Sequence, residues 1–341
     1  MNSIHAKSLI AAIALMLPCF MGRQLLYGAP RTSAASFLKV PVSADAIALG
    51  GNAVVLGNGV GSIPANPAAL GFIRQHEFQT SYGSHLEGYK FFNAAYGYRG
   101  GLMNAGLSLT RAAASDFEGR DAQGAPTGGF GSSDMALNLS AAKAFKNFSL
   151  GMNVKYISSA IEHESASAVA VDAGLVFLGN KYAAYPWKLG VSIRNLGTPM
   201  KYISRSEPLP LTASAALAVT IAGSVEAGLN VSNNLTENTF EFGVGMGLNV
   251  ADSLSLTGGL SRELGAAAAS DSIPFRLNAG LGVKVSNFML NYGFVPMGEL
   301  GNIQRMSVTL KFGDKGGLSK FSGKAKRRAK ADRRTAWKSF K

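Results

Sequence analysis

The sequence predicts an all-β fold, a transmembrane antiparallel β-barrel of about 14 strands with an N-terminal segment inside its lumen. Three observations lead to this prediction. From about residue 76 onward, large apolar residues alternate with small or polar ones, which is the period of a β-strand. The connections between strands are alternately short and long, as in outer-membrane barrels. A glycine-rich stretch, Leu49 to Gly71, precedes the first strand.

The alternation is clearest in residues 148–156, 240–250, 277–285 and 306–312. In each of them the large apolar side chains share one face, and Gly, Ser, Asn, Thr, Lys or another small or polar residue takes the other. Many of the segments have the ten-residue length that a tilted strand needs to cross a membrane. The predicted strands are 76–84, 89–99, 101–110, 134–145, 148–158, 167–179, 187–196, 210–222, 224–232, 238–250, 253–262, 274–286, 287–297 and 303–313.

The predicted connections fall into two length classes. Short turns are expected at Gly100, 146–147 and 251–252, and long polar loops at 111–133, 197–209 and 263–273. A soluble β-sandwich or propeller would also alternate. The barrel is favoured because charged residues make up only 16% of the chain. In a lipid-embedded barrel the large face looks outward and the small face lines the lumen.

The N-terminal residues 1–35 resemble a cleaved signal peptide. Lys7 precedes an apolar run from Ser8 to Met21, which is too short to span a bilayer as a helix. Cleavage after Ala29, Ala34 or Ala35 fits the small residues at these positions. We therefore expect export to the bacterial outer membrane. The sole cysteine, Cys19, lies in the removed part, so no disulfide or cysteine-ligated metal is expected in the mature chain.

Residues 36–75 are predicted to form a luminal hatch, or plug, ahead of the barrel at 76–313. Asn66 suits a helix N-cap, Pro67 the first helical position and Gly71 the position after a helix end. Such a short turn is not stable alone in water, so it is expected to lean on the barrel wall. A nucleotide-binding loop is rejected at Gly57, Gly59 and Gly61, which are predicted to form a flexible luminal loop instead.

Charge separates the body of the chain from its C-terminal end. Residues 314–341 hold 11 Lys and Arg against 2 Asp and Glu, whereas residues 36–313 hold 19 against 18. A neutral body argues against nucleic-acid binding. The basic tail is expected to be disordered. It either contacts peptidoglycan or anionic lipid headgroups or is simply solvated.

No catalytic group, metal or cofactor is predicted, and the chain is expected not to be an enzyme. The four His are scattered, and His163 near Ser158 and Ser159 lacks an orienting third group. The acidic cluster in the predicted loop 111–133 lacks EF-hand spacing. Asp172 is different, because it lies in the middle of a strand, where a lipid-facing charge is costly. It should face the lumen and pair with Lys, Arg or backbone amides of the hatch.

A series of short motifs resembles the PorV/PorQ-type family of bacterial outer-membrane proteins, within the wider FadL-like barrels. The resemblance covers about residues 36–313, and its strength lies in the order of the motifs. Leu49 and Asn52 depart from the family's first motif, and the basic tail continues past the last strand. The matching motifs are Leu49-Gly50-Gly51, Asn66-Pro67-Ala68, Asp134-Met135-Ala136, Lys155-Tyr156-Ile157, Asp172-x-Gly174, Arg194-Asn195-Leu196-Gly197, Pro208-Leu209-Pro210 and Lys311-Phe312-Gly313.

The resemblance implies a barrel of about fourteen strands with an inserted hatch, and one of two functions. FadL-like members are passive channels for small hydrophobic compounds, whereas PorV-like members bind secreted cargo proteins in type IX secretion. The channel hypothesis predicts an apolar pocket near Val54, Val55, Leu56 and Ile63. The hatch residues expected to have a structural or gating role are Gly50, Gly51, Asn66, Pro67 and Ala68.

Overall fold

The computed structural model of the chain describes residues 32–313, except for 58, 86–87, 121–122, 163, 181–182, 222, 266–274 and 299–300. Most of the predicted signal peptide, the whole basic tail and most of the predicted loop 263–273 therefore lie outside the described residues. Among the residues that are described, no helix combines the length and the apolar character needed to cross a bilayer.

Among the described residues, sixteen β-strands follow one another along the chain. Fourteen of them form a closed barrel, and β8 and β9 form a separate two-stranded sheet. Their bounds are β1 (His76–Ser84), β2 (Lys90–Tyr98), β3 (Asn104–Arg120), β4 (Pro126–Ala144), β5 (Phe148–Ile161), β6 (Glu164–Leu178), β7 (Trp187–Gly197), β8 (Met200–Lys201), β9 (Ser206–Glu207), β10 (Thr212–Ile221), β11 (Val225–Asn234), β12 (Thr239–Ala251), β13 (Leu254–Gly265), β14 (Arg276–Val285), β15 (Phe288–Pro296) and β16 (Asn302–Phe312).

The barrel closes where its last strand pairs with its first. β16 runs antiparallel to β1, from His76 opposite Phe312 to Ser84 opposite Gln304. Every other barrel strand pairs with its neighbours in the chain, and β7 pairs with β10. Closure leaves no barrel strand with a free edge, which hydrocarbon would not tolerate. The prediction of an all-β, fourteen-stranded antiparallel barrel is confirmed.

The two faces of the wall differ in side-chain size, as the alternation predicts. On β5, Leu150, Met152, Val154 and Tyr156 are exposed on the outer surface. The residues between them, Ser149, Gly151, Asn153 and Lys155, are buried on the inner surface. An apolar outer belt over a small and polar lumen is the pattern of a membrane-spanning barrel.

The barrel has two distinct ends. We call the end with the first and last barrel residues, His76 and Phe312, the terminal end, and the opposite end the loop end. The prediction of a long loop over residues 111–133 is wrong, because β3 continues to Arg120 and β4 begins at Pro126, so that the two strands form one long hairpin at the loop end. Phe117 lies opposite Phe130 within it, beyond a register shift after Ala114. This bulge and the charged residues of the hairpin interrupt the alternation of apolar and polar residues, so the alternation does not predict this part of the strands.

A lumen segment, defined here as residues 33–75, fills the barrel with short helical turns. It contains α1 (Ala44–Ala48) and α2 (Ala53–Leu56), and 3₁₀ turns at Ser36–Lys39, Val60–Ser62 and Pro67–Phe72. Helix α1 packs on β13 to β16, and α2 packs on β7, β10 and β11. The second 3₁₀ turn packs on β1 and β2, and the third on β3 to β6. Contacts around the whole ring are possible only from inside the barrel.

Tertiary packing holds these turns, since helices this short are not stable alone. Val54, Val55 and Leu56 are buried in a cluster with Ala216 and Ala218 of the wall. Two sequence predictions need correction. Gly71 lies within its 3₁₀ turn rather than after it, and its Cα faces Ser149 too closely for a side chain. The luminal loop predicted at Gly57, Gly59 and Gly61 contains a regular, buried 3₁₀ turn at Val60–Ser62, which packs on β1 and β2.

The lumen segment approaches the wall at a ring of inward-facing glycines, which we call the glycine girdle. A Cβ atom on any of them would lie no farther than 3.1 Å from an atom of the lumen segment. The wall can therefore hold the segment at backbone distance only where it has no side chains. The girdle consists of Gly97, Gly106, Gly151, Gly174, Gly190, Gly228, Gly243, Gly245, Gly259, Gly280 and Gly293.

Strand β12 offers a matched test of the girdle. Gly243 faces the carbonyl oxygen of Gly50 so closely that an added Cβ would overlap it, whereas a Cβ at Gly247 would meet nothing within 4 Å. We expect G243A to lower the free energy of unfolding by about 1–3 kcal/mol through overpacking. G247A should leave it unchanged. The measurement is the midpoint of the heat-induced mobility shift in detergent micelles, and equal midpoints for the two variants would contradict the girdle.

Candidate functional site

Asn66 connects three parts of the structure. Its Oδ1 accepts a hydrogen bond from the backbone N–H of Ala68 (3.0 Å), which caps the 3₁₀ turn Pro67–Phe72. Its Nδ2 donates to the carbonyl oxygen of Val54 in α2 (2.9 Å) and to that of Leu175 in β6 (3.2 Å). The side chain is fully buried. The structure therefore places Asn66 where the two halves of the lumen segment meet the wall.

Pro67 and Ala68 lie directly on the wall. Pro67 stands against Gly151, where no Cβ would fit. The carbonyl oxygen of Ala68 accepts a hydrogen bond from Ser149 Oγ at 2.9 Å. Because Pro67 lacks an N–H and lies at the start of the turn, it leaves no backbone donor unpaired there.

Gly50 and Gly51 form the connection between α1 and α2. Both have positive φ angles, 56° and 84°, a region that favours glycine. A Cβ at Gly50 would lie 2.9 Å from the carbonyl oxygen of Val244, and one at Gly51 would lie 2.8 Å from Nδ2 of Asn230. Backbone conformation and close approach to the wall thus require glycine at both positions.

Asp172 lies on the inner face of β6, with 1% of its surface exposed. It forms an ion pair with Lys155 of β5 at 2.9 Å. It also accepts hydrogen bonds from Asn153 Nδ2 (3.0 Å) and from the backbone N–H of Asn195 (2.7 Å). This last bond spans a bulge between β6 and β7. All three partners belong to the wall rather than to the lumen segment.

One link joins this network to the lumen segment. Nδ2 of Asn153, which binds Asp172, also donates to the carbonyl oxygen of Ile63 at 3.3 Å. Lys155 completes the network through a hydrogen bond from Nζ to Oδ1 of Asn195 (2.6 Å). The carboxylate is therefore compensated by one cation and two neutral donors, which is what a buried charge requires.

A cavity of about 770 Å³ lies between the lumen segment and the loop end of the barrel. Residues 33–42 of the lumen segment form part of its wall, and Ala53, Val54, Pro64 and Ala65 form its floor toward the terminal end. Apolar side chains line much of it, including Phe37, Phe91, Ile161, Val295, Met297 and Ile303. This volume is in the range of small-molecule sites.

The opposite side of the cavity carries charge. Glu241 of β12 and Arg276 of β14 form an ion pair at 2.9 Å, and Arg194 and Glu263 lie beside them on the cavity wall. Asp134 accepts a short hydrogen bond from Ser159 on another side. The cavity thus combines an apolar side with a polar one, and the polar side could orient a bound molecule.

The predicted apolar pocket is only partly in the expected place. Val54 lines the cavity, but Val55 and Leu56 are buried against the wall near α2, and Ile63 is buried against β2 and β4. The reason is geometric, because these three side chains fill the space that the small wall residues leave open.

A contact at the loop end holds the beginning of the lumen segment. Glu237, in the turn between β11 and β12, accepts a hydrogen bond from Ser33 Oγ (2.6 Å) and forms an ion pair with Lys39 (2.9 Å). Burial alone would raise the pKa of Glu237, but these hydrogen bonds and the Lys39 charge outweigh it and lower the pKa. The carboxylate is therefore charged at neutral pH.

Glu118, from the acidic cluster noted in the sequence, and His76 lie at opposite ends of the barrel. Glu118 pairs with Arg120 on the exposed hairpin at 2.9 Å. His76 stacks among aromatic rings near the terminal end. His163 and Asp121 lie outside the described residues. Within the part of the chain that the structure describes, no three His, Cys, Asp or Glu side chains converge as metal ligands.

Several charged lumen residues were missed as functional candidates, although their signal was present in the sequence. Lys155, Arg194, Glu241, Arg276 and Arg305 all occupy small-face positions of their strands. A charge on that face must enter the lumen, because the other face meets lipid. Strand alternation alone could have identified them, but their partners depend on register across neighbouring strands.

Solved structures with a similar fold are known, although no similar sequence family was found. No family model and no curated protein sequence matches the chain. The toluene transporter TodX of Pseudomonas putida is similar in structure, with 11% identity over 78% of this chain and 96% of TodX and a TM-score of 0.57. CymD, a monoaromatic hydrocarbon channel, is similar at 11% identity over 81% and 99% of the two chains, with a TM-score of 0.59.

A FadL homologue of Pseudomonas aeruginosa is also similar, at 12% identity over 80% of this chain and 99% of the homologue, with a TM-score of 0.55. These matches span nearly the full length of each solved chain. At such low identity they show a shared fold, and this chain has the barrel fold of those outer-membrane channels.

The Asp172 network gives a prediction with an internal control. D172A would leave the ammonium of Lys155 buried without its carboxylate, and should lower the free energy of unfolding by about 3–5 kcal/mol. The double variant D172A/K155M should recover most of this loss, because neither charge remains. Urea unfolding of the barrel in lipid vesicles measures both. If D172A alone is as stable as the wild type, the ion pair between Lys155 and Asp172 does not stabilise the barrel.

Asn66 gives a second prediction. N66A removes both the cap on Ala68 and the donor to Val54, and should lower the free energy of unfolding by about 1–2 kcal/mol. N66D keeps the capping oxygen but sets a carboxylate oxygen against the Val54 carbonyl. If Asn66 only caps, N66D will unfold like the wild type in the same urea assay. If it also ties the two halves together, N66D will be at least as unstable as N66A.

Proposed function

We propose that this chain is a passive outer-membrane channel for small hydrophobic compounds, with the lumen segment as its hatch. The observation that carries the proposal is the cavity of about 770 Å³ at the loop end, floored by the lumen segment inside a closed barrel. Its apolar side chains would surround a hydrophobic compound, and this environment is more favourable for such a compound than water. The names of similar solved structures, a toluene transporter and a monoaromatic hydrocarbon channel, support the same proposal.

The arrangement of the lumen segment supports a hatch. It runs from Ser33 at the loop end to Gln75 beside the first barrel residue at the terminal end, and touches the wall all round. A solute passing along the barrel axis must therefore displace part of it. In this proposal Gly50, Gly51, Asn66, Pro67 and Ala68 hold the closed position, and Asp172 stiffens the wall behind them.

The membrane placement follows from the barrel itself. An even number of strands puts the first and last residues of the barrel, His76 and Phe312, on one side of the membrane, which is the periplasmic side in bacterial barrels. The loop end with its cavity then faces the cell exterior, and outer-membrane lipid covers the apolar belt. Removal of residues 1–35 as a signal and contact of the basic tail with peptidoglycan or headgroups remain predictions. No observation on the described residues favours the alternative function, a scaffold for type IX secretion.

Transport can be tested by filling the cavity. A65W places an indole at the cavity floor, where Ala65 lies, and should abolish most of the uptake. A113W is the matched control, because Ala113 lines a groove on the outer surface near the loop end. The measurement is the uptake of a labelled monoaromatic hydrocarbon by cells that lack their own channel. Equal uptake with the wild-type chain and with an empty vector would overturn the proposal.

A further inference from the structure

Arg305 on β16 is the largest of the fully buried side chains among the described residues, with 1% of its surface exposed. Its Nη1 donates to the carbonyl oxygen of Pro41 in the lumen segment at 2.6 Å. Its guanidinium carbon lies 4.8 Å from the centre of the Phe91 ring. The remaining donors, Nε and Nη2, are buried and have no hydrogen-bond partner among the described residues.

Such a group needs compensation. Arginine does not lose its proton in proteins, and a buried charge with unpaired donors is costly. No carboxylate in the described part of the chain forms an ion pair with Arg305. Arg194, the other deeply placed arginine, differs because Asp172 and Glu241 lie close enough to stabilise its charge.

A second unpaired group packs against the same Phe91 ring. The ring of His85 is 5.3 Å from that of Phe91, and its Nδ1 is buried without a hydrogen-bond partner. Burial, together with the nearby positive charge of Arg305, lowers the pKa of His85 to about 4. The imidazole is therefore neutral at neutral pH, and its Nδ1 can carry a proton and donate it.

We propose that Arg305 and His85 bind an oxyanion, a carboxylate, phosphate or sulfate group, at the edge of the lumen cavity. Nε and Nη2 lie on one edge of the guanidinium, and this edge matches two oxygens of such a group. Nδ1 of His85 supplies a further donor.

The site opens toward the cavity. His85, Phe91, Pro41 and Ile303 line the cavity, and Arg305 lies behind Pro41 and Phe91, which it contacts. In this proposal an anion reaches Arg305 from the cavity by passing between these side chains. The oxyanion is either a free inorganic ion or the head of an apolar solute, and both offer the same oxygens. Because Arg305 also holds the carbonyl of Pro41, an ion bound there joins the lumen segment to β16. The inference concerns binding and does not depend on whether the channel transports.

Calorimetry on the full chain in detergent micelles tests the site. Inorganic phosphate and sulfate are titrated against chloride at constant ionic strength, and benzoate is titrated beside uncharged toluene. We expect oxyanions to bind the wild type and to bind R305Q roughly tenfold or more weakly, because a charge-assisted pair of hydrogen bonds is lost. R120Q is the control, because it removes an arginine from the exposed hairpin outside the cavity and should keep the binding.

A second readout uses the unaltered protein, so that a misfolded R305Q does not weaken the test. The imidazole ¹⁵N resonances of His85 should shift on addition of the oxyanion and stay unchanged with chloride. Binding of benzoate but not phosphate supports a site for the head of an apolar solute, and binding of both supports a site for free anions. Absence of both the heat and the shift in the wild type, or equal affinity in R305Q, overturns the proposal. If the chain binds oxyanions as expected but supports no hydrocarbon uptake, the result contradicts the proposed transport function and leaves the oxyanion site supported.

Discussion

The distance between the backbone of the lumen segment and the barrel wall is the constraint on which the rest of the structure depends. A closed barrel of fourteen strands has a fixed circumference, and the segment crosses it as helical turns. These fit because glycines face them on almost every side, down to the carbonyl of Gly50 against Gly243. The composition of the inner wall, which is mainly Gly, Ala, Ser and Asn, is therefore a packing requirement. Because the inner wall has small residues or glycine at these positions, it can pack closely on short helical turns that would not be stable in water.

Elsewhere in the lumen, side chains of opposite charge form close ion pairs. Lys155 with Asp172, Lys311 with Glu77 and Arg276 with Glu241 each lie 2.9 to 3.0 Å apart. Glu77 also accepts a hydrogen bond from the backbone of Val60 (3.2 Å), so one pair holds the lumen segment as well as the wall. Pairing of this kind makes the lumen polar without leaving isolated charges. Arg305, in contrast, forms no ion pair with a carboxylate of the described residues, and its Nε and Nη2 have no hydrogen-bond partner.

Much of the fold was accessible from the sequence, because barrel strands obey a period of two and the lipid requires one face to be apolar. The strands 76–84 and 187–196 were placed within a residue of their observed bounds. The hairpin around Phe117 was not predicted, because its outer part extends beyond the apolar outer belt of the barrel. There, neither face has to be apolar, and the residues do not alternate. The site was less accessible. Asp172 could be placed in the lumen from its strand position, but its partners Lys155 and Asn195 come from neighbouring strands, and only register brings them together.

The packing of α1 on β13 to β16 sets an order of assembly. The lumen segment is synthesised first, yet the backbone N–H of Ala44 finds its acceptor, Ser307 Oγ, on the last strand of the chain. Contacts of such sequence separation form slowly, since the loop-closure entropy must be overcome before they stabilise anything. The apolar turns around Ile47 thus stay uncovered until the final hairpin arrives. Closure of the wall and burial of the lumen segment are therefore coupled through β16, because removing this strand would open the barrel and take away the acceptor of Ala44.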